Sequence, residues 1–201
     1  MKKIFVSLII ICATVSFSNA QEFKKFKLGI GLGYAVPTDG GGGVLLTLEP
    51  AYRISDQIAL GLRLESAAMA KNISGGGASV ETSVSANGSY SINGQYYFNN
   101  NNFRPYVGLG LGIFTVASAS VEGNQTGGSA SVAGGTVLGF YPRIGFDAGH
   151  FNLNIDINIV GASDEVEVNG QTVNVSDAGI DKISNSYIGI RLGAFLFGGR
   201  N

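Results

Sequence analysis

Charge is scarce in this chain: Asp, Glu, Lys and Arg together make up 13% of its 201 residues. Proline is scarcer still, with 4 residues, and there is one cysteine, Cys12, and one histidine, His150. After the first twenty residues no segment is apolar for 18 residues in a row, which excludes a helical membrane span. Cys12 lies inside the apolar N-terminal segment, so neither disulfides nor thiol chemistry operate in the remainder. With a single histidine, the many Ser and Asp residues have almost no partner to activate a nucleophile. Glycine, in contrast, is abundant at 31 residues. No G-X-Y period accompanies it, which excludes a collagen-like chain. The glycines alternate with Leu, Ile and Val, as in "LGIGLG" and "VGLGLG", which favours ordered β-structure.

The N-terminus reads as a processing signal. Lys2 and Lys3 precede the apolar "IFVSLIIICATV", and "SFSNA" brings the small residues Ser18 and Ala20. This is the pattern of a secretory signal cleaved after Ala20, dividing the chain into a signal peptide (1–20) and one domain (21–201). The run is shorter than the roughly 20 apolar residues a span needs, and "IIIC" lacks the small residues of a lipoprotein cleavage site. Without Lys2 and Lys3, 11 of the 13 Lys and Arg stand against 14 Asp and Glu, a net charge of −3. That is no footprint for nucleic acid.

The remainder alternates with period two. In "FNLNIDINIV" (151–160) Phe, Leu and Ile occupy every second position, with Asn and Asp between, which is the signature of a strand. Similar segments run over 26–36, 44–54, 58–69, 90–98 (with an extension back to Val80), 104–116, 136–148 and 187–197. These are eight strands, most of the roughly 9–11 residues that cross a bilayer when tilted. Their connections alternate in length. "SDQ" (55–57), "NNNNF" (99–103) and "GH" (149–150) are short, whereas 70–89, 117–135 and 161–186 are long. Outer-membrane barrels show this asymmetry, with short periplasmic turns and longer extracellular loops.

The two faces of the strands differ. One carries residues such as Leu28, Ile30, Leu32, Leu46, Leu48, Leu60, Leu62, Leu109, Leu111, Ile155 and Ile190 and no charge. The other carries Lys27, Glu49, Arg53, Arg63, Glu65, Arg104, Arg143, Asp147, Asp156 and Arg191, with many glycines. An eight-stranded barrel has an interior just wide enough for side chains. The small and charged set fits there and the larger apolar set does not, so the apolar face is expected to meet lipid. The expected site is therefore an interior charge network of structural kind, made by Glu49, Arg53, Arg63, Glu65, Arg104, Arg143, Asp147, Asp156 and Arg191. Turn geometry fixes the expected pairings. A two-residue turn at 149–150 sets Arg143 opposite Asp156, and a three-residue turn at 55–57 sets Glu49 opposite Arg63. Pro50 and Pro142 fall mid-strand, where each is expected to cost a ladder bond or make a bulge.

These residues resemble the small outer-membrane β-barrel family, the eight-stranded porin-superfamily domains of Gram-negative bacteria. The segments that carry the resemblance are "FKLGIGLGYAVP", "LEPAYRISDQIALGLRLE", "RPYVGLGLGIF", "FYPRIGFDAGHFNLNIDINIV" and "SYIGIRLGAFLFGG". Such barrels usually end on an aromatic residue, whereas here "GGRN" follows Phe197. The resemblance implies an all-β, antiparallel up-and-down transmembrane barrel in the outer membrane. Both termini would be periplasmic and the long loops extracellular. Implied partners are membrane lipid and lipopolysaccharide, the outer-membrane assembly machinery and an extracellular protein ligand of the loops.

The functional expectation is a non-enzymatic barrel serving envelope structure or surface interaction. No catalytic residue, cofactor or metal site is expected. A narrow channel or small-ligand transporter is the alternative. A lipid-modifying enzyme is disfavoured because His150 sits in a turn on the periplasmic side, and a soluble secreted barrel because of the loop asymmetry. The GxG runs precede no helix and so are not a dinucleotide fingerprint. The long loops are acidic (Asp39, Glu81, Glu122, Asp164, Glu165, Glu167, Asp177, Asp181). The last, 161–186, carries a hairpin signal, Asn169-Gly170 between "VEV" and "TVNV".

Overall fold

The computed structural model describes residues 22–38, 40–75, 78–119, 130–132, 135–162, 165–168, 171–174 and 184–200. The expected signal segment (1–20) and the acidic Asp39, Glu122, Asp164, Asp177 and Asp181 lie outside them. Eight strands close an antiparallel barrel: β1 (Phe26–Pro37), β2 (Gly42–Arg53), β3 (Ile58–Gly75), β4 (Ala78–Tyr97), β5 (Phe103–Ala119), β7 (Gly135–Ala148), β8 (Phe151–Val160) and β11 (Tyr187–Phe197). β1 pairs with β11 from Lys27↔Phe197 to Pro37↔Tyr187 and closes the wall. Three short strands, β6 (Ala130–Val132), β9 (Glu165–Val168) and β10 (Gln171–Asn174), form a separate sheet in the order β10-β9-β6. The strands on either side of the hairpin signal, β9 and β10, pair antiparallel, and the long connection 117–135 adds β6 to them; residues 169–170 themselves lie outside the described residues.

The long connection 70–89 is largely strand. β3 and β4 continue their ladder to Gly75↔Ala78, with one register shift after Ile73. At the opposite end the short turns set the register. Ile54 N–H donates to Ile58 O at 2.9 Å, and Ala148 faces Phe151. Gly149 holds φ +62°, the left-handed conformation that a two-residue turn with glycine first requires. The prolines each interrupt one ladder without shifting it. Pairing of β2 with β3 lapses between Leu48↔Leu64 and Ala51↔Gly61. Pairing of β7 with β8 lapses between Phe140↔Ile159 and Arg143↔Asp156. A bond is lost at each, as expected, and there is no bulge.

The facing is unambiguous. Leu32, Leu46, Leu62, Ile92, Leu109, Leu111, Leu138 and Ile144 are exposed on the outer surface, whereas Arg53, Arg63, Arg104, Arg143, Asp147, Asp156 and Arg191 are buried inside. A water-soluble barrel inverts this order; a wall in hydrocarbon requires it. Phe26, Tyr52, Tyr96, Phe98, Phe103, Phe151 and Phe197 are exposed around the end with the short turns, an aromatic girdle.

The sequence reading fills the interior with small and charged residues alone, and the structure corrects it. An apolar cluster of Ala35, Leu45, Ala67, Met69, Phe114, Tyr141, Val160 and Tyr187, with Val137 against it, fills the lumen toward the long loops. A Cβ on Gly110 would overlap the Tyr141 ring, so this inner glycine makes room for a large cross-lumen side chain and does not leave free space.

Candidate functional site

The nine charged residues singled out by the sequence all lie in the lumen, eight of them buried and Glu49 half-buried. The structure brings them together in three layers. In the middle, Arg143 Nη1 donates to Glu49 Oε2 at 2.9 Å and Oε1 at 3.1 Å, and its Nη2 donates to Tyr106 Oη at 3.0 Å. Gln95 Nε2 donates to Glu49 Oε1 at 2.6 Å. Toward the long loops, Arg63 Nη1 donates to Asp156 Oδ2 at 2.8 Å, and its Nη2 to Asn158 Oδ1 at 2.8 Å. Its guanidinium lies 3.5 Å above the Tyr141 ring centre. Arg191 bridges Asp156 and Glu65, and the Tyr187 hydroxyl donates to Glu65.

Register and ion pairing differ, and this corrects the expected partners. Arg143 does face Asp156 along the wall, but its salt bridge is to Glu49. The frame of Leu48↔Leu64 and Ala51↔Gly61 sets Glu49 opposite Arg63, but Arg63 pairs with Asp156. In the closed order β1-β11-β8-β7-β5-β4-β3-β2, β7 and β2 are diametrically opposite, as are β3 and β8. Long guanidinium arms in a narrow lumen reach across it more readily than they fold back beside their own backbone. Counting residues around turns reports neighbours in the wall and not neighbours across the interior.

The third layer lies toward the short turns. Lys27 Nζ donates to Asp147 Oδ2 at 2.6 Å. Asp147 also accepts from Tyr97 Oη at 3.0 Å and Asn152 Nδ2 at 2.7 Å. Arg53 approaches Asp147 only to 3.8 Å. Arg104 makes no ion pair among the described residues and is held differently from the expected network. Its guanidinium lies 3.7 Å from the Phe23 ring centre and 4.3 Å from that of Tyr97. Phe23, 8% exposed, closes this end of the barrel. Its segment is fixed by Asp56, which accepts from the backbone N–H of Glu22 at 3.0 Å and of Phe23 at 3.2 Å. The C-terminal tail completes the closure, since Lys24 N–H donates to Gly199 O at 3.0 Å and Phe23 bridges to Arg200.

Sequence reasoning missed Phe23 as a closure and Leu45, Phe114 and Val160 as lumen residues. The signal for the last three was present. "LL" (45–46), "IF" (113–114) and "IV" (159–160) are apolar on both faces, and each falls near the long-loop end of its strand. His150 is where the sequence put it, in the turn, with Nδ1 2.8 Å from Phe195 O.

A search of curated proteins found no match. Among solved structures the chain is similar to the outer membrane protein OprG from Pseudomonas aeruginosa, at 15% identity and a TM-score of 0.56, covering 89% of this chain and 99% of that one. A major outer membrane protein from Thermus thermophilus aligns at 16% identity and a TM-score of 0.48 over 86% of this chain and 99% of that one. Neisserial surface protein A aligns at 15% identity and 0.45 over 85% and 94%. Residues 5–180 match the family model of the outer membrane protein beta-barrel domain. This match covers most of the chain and agrees with a closed barrel that is apolar outside and charged inside: the chain belongs to the outer membrane protein β-barrel domain family.

Proposed function

We propose that this outer-membrane barrel is a closed, non-enzymatic wall element whose work is done by the β-structure at its long-loop end, in envelope structure or surface interaction. The observation that carries this reading is a lumen occupied by side chains at each described level along its length. Phe23 and the tail lie at one mouth, three charge layers follow, and an apolar cluster sits under the other. The signal segment 1–20 is removed on export. The short turns and both termini face the periplasm, so the separate sheet β10-β9-β6 stands outside the cell. Lipopolysaccharide and lipid contact the apolar wall, and the assembly machinery inserts it. An extended edge such as β10 can pair with a strand of a protein ligand.

The test replaces 165–174 with a short Gly-Ser turn and screens the wild type and the variant, in nanodiscs, against matrix proteins, lipopolysaccharide and peptides. The proposal expects a ligand that binds the wild type and is lost in the variant, while heat-modifiable gel migration is retained. Binding that survives the replacement would refute the role of this sheet.

A further inference from the structure

Charge does not balance along the lumen. Among the side chains described, the layer toward the long loops holds Arg63 and Arg191 against Glu65 and Asp156, and the middle layer holds Arg143 against Glu49. Both are neutral. The layer at the short-turn end holds Lys27, Arg53 and Arg104 against Asp147 and, at its rim, the half-buried Asp56, an excess of one positive charge among the described side chains. Asp147 accepts from Lys27, Tyr97 and Asn152; Arg53 comes only to 3.8 Å of it, and Arg104 makes no ion pair with it. The other described acids at this end have partners of their own. Asp56 caps the backbone N–H groups of Glu22 and Phe23, and Glu22 pairs with Arg200 at 2.8 Å. Backbone carbonyls take only part of the two guanidiniums, those of Lys24 and Gly198 for Arg53 and those of Asn99 and Asp56 for Arg104. Arg53 Nε and Arg104 Nη1 are buried with no acceptor among the described residues.

A cavity of about 70 Å³ lies at this mouth, lined by Arg53, Arg104, Arg200, His150 and Asn102, with Asp147 on its wall. It is larger than the roughly 10–15 Å³ a cavity needs to hold one water. Buried cations without counter-charge are costly, and guanidinium forks match the oxygens of oxyanions. We propose that this cavity is a binding site for one phosphate-sized inorganic oxyanion, held by Arg53 and Arg104 at the short-turn mouth of the lumen. The anion would supply the acceptors that these two guanidiniums lack and bring the layer toward neutrality. Phe23 would close over it.

The test titrates inorganic phosphate into the purified, refolded mature barrel at constant ionic strength with gluconate as the only other anion, read by calorimetry and by phosphorus NMR line width. The proposal expects saturable binding of one phosphate per barrel, competition by sulfate and no competition by citrate, which the cavity cannot hold. Arg104→Gln should weaken binding at least tenfold, whereas Lys25→Gln, an exposed cation near the same mouth, should not change it. If Arg104→Gln fails to fold, the wild-type discrimination of sulfate from citrate decides. No saturable binding, equal competition by citrate, or an equal loss in Lys25→Gln would overturn the proposal.

Discussion

Arg143→Ala removes the cation at the centre of the lumen. The side chain is 3% exposed, and its partner Glu49 is 17% exposed. The substitution takes from Glu49 two hydrogen bonds, at 2.9 and 3.1 Å, and leaves it only the Gln95 donor at 2.6 Å. Breaking a buried pair by deleting one member costs ~3–5 kcal/mol, because the other charge stays buried without compensation. Partial exposure of Glu49 puts the expected loss at the lower end, about 3 kcal/mol. Adding Glu49→Ala removes that orphaned carboxylate, so the double variant should recover about 2 kcal/mol, within the range of couplings between contacting residues. Adding Asp156→Ala instead should recover much less, because Asp156 is held by Arg63 and Arg191. Urea unfolding of the refolded protein in lipid vesicles, followed by tyrosine fluorescence and heat-modifiable migration, gives the three differences. Equal or greater recovery with Asp156→Ala would refute the cross-lumen pairing and restore the partner that register alone suggests.

Four further outcomes are expected. Leu62→Arg or Leu109→Arg should disfavour the inserted barrel by ~2–4 kcal/mol near the bilayer midplane. Gly88→Ala, where an added Cβ meets nothing within 4 Å, should be neutral in the same unfolding assay. Gly110→Ser should fold poorly because its Cβ falls on the Tyr141 ring, and Tyr141→Ala should rescue it in part, as judged by the heat-modified gel band. Protease added to intact cells should cut within 70–89, 117–135 or 161–186 and spare 55–57, 99–103 and 149–150; cleavage at His150 from outside would invert the topology.

Much of the wall was legible because strand side chains alternate strictly and the turns are short. The segment 151–160 is strand β8 at both bounds, and the register around Gly149-His150 follows from turn length alone. The lumen was legible in composition but not in contacts. Which cation meets which anion depends on which strands stand opposite one another after closure, and on how far an arginine reaches. No local pattern in the sequence carries that. The apolar cluster near the long loops escaped because Leu45, Phe114 and Val160 each sit beside an outward apolar neighbour, so the alternation that defines a face is locally lost. Phe23 escaped because it precedes the first alternating segment and is fixed by Asp56, 33 residues away.

Single-channel recording tests the closed lumen most directly. Purified mature protein in a planar bilayer should give no steady conductance in symmetric salt, and Arg143→Ala combined with Phe23→Ala should introduce brief, small openings. A stable, ohmic channel in the unmodified protein would contradict the account, since no such path fits a lumen occupied by Phe23, three layers of charged side chains and the Leu45–Phe114 cluster.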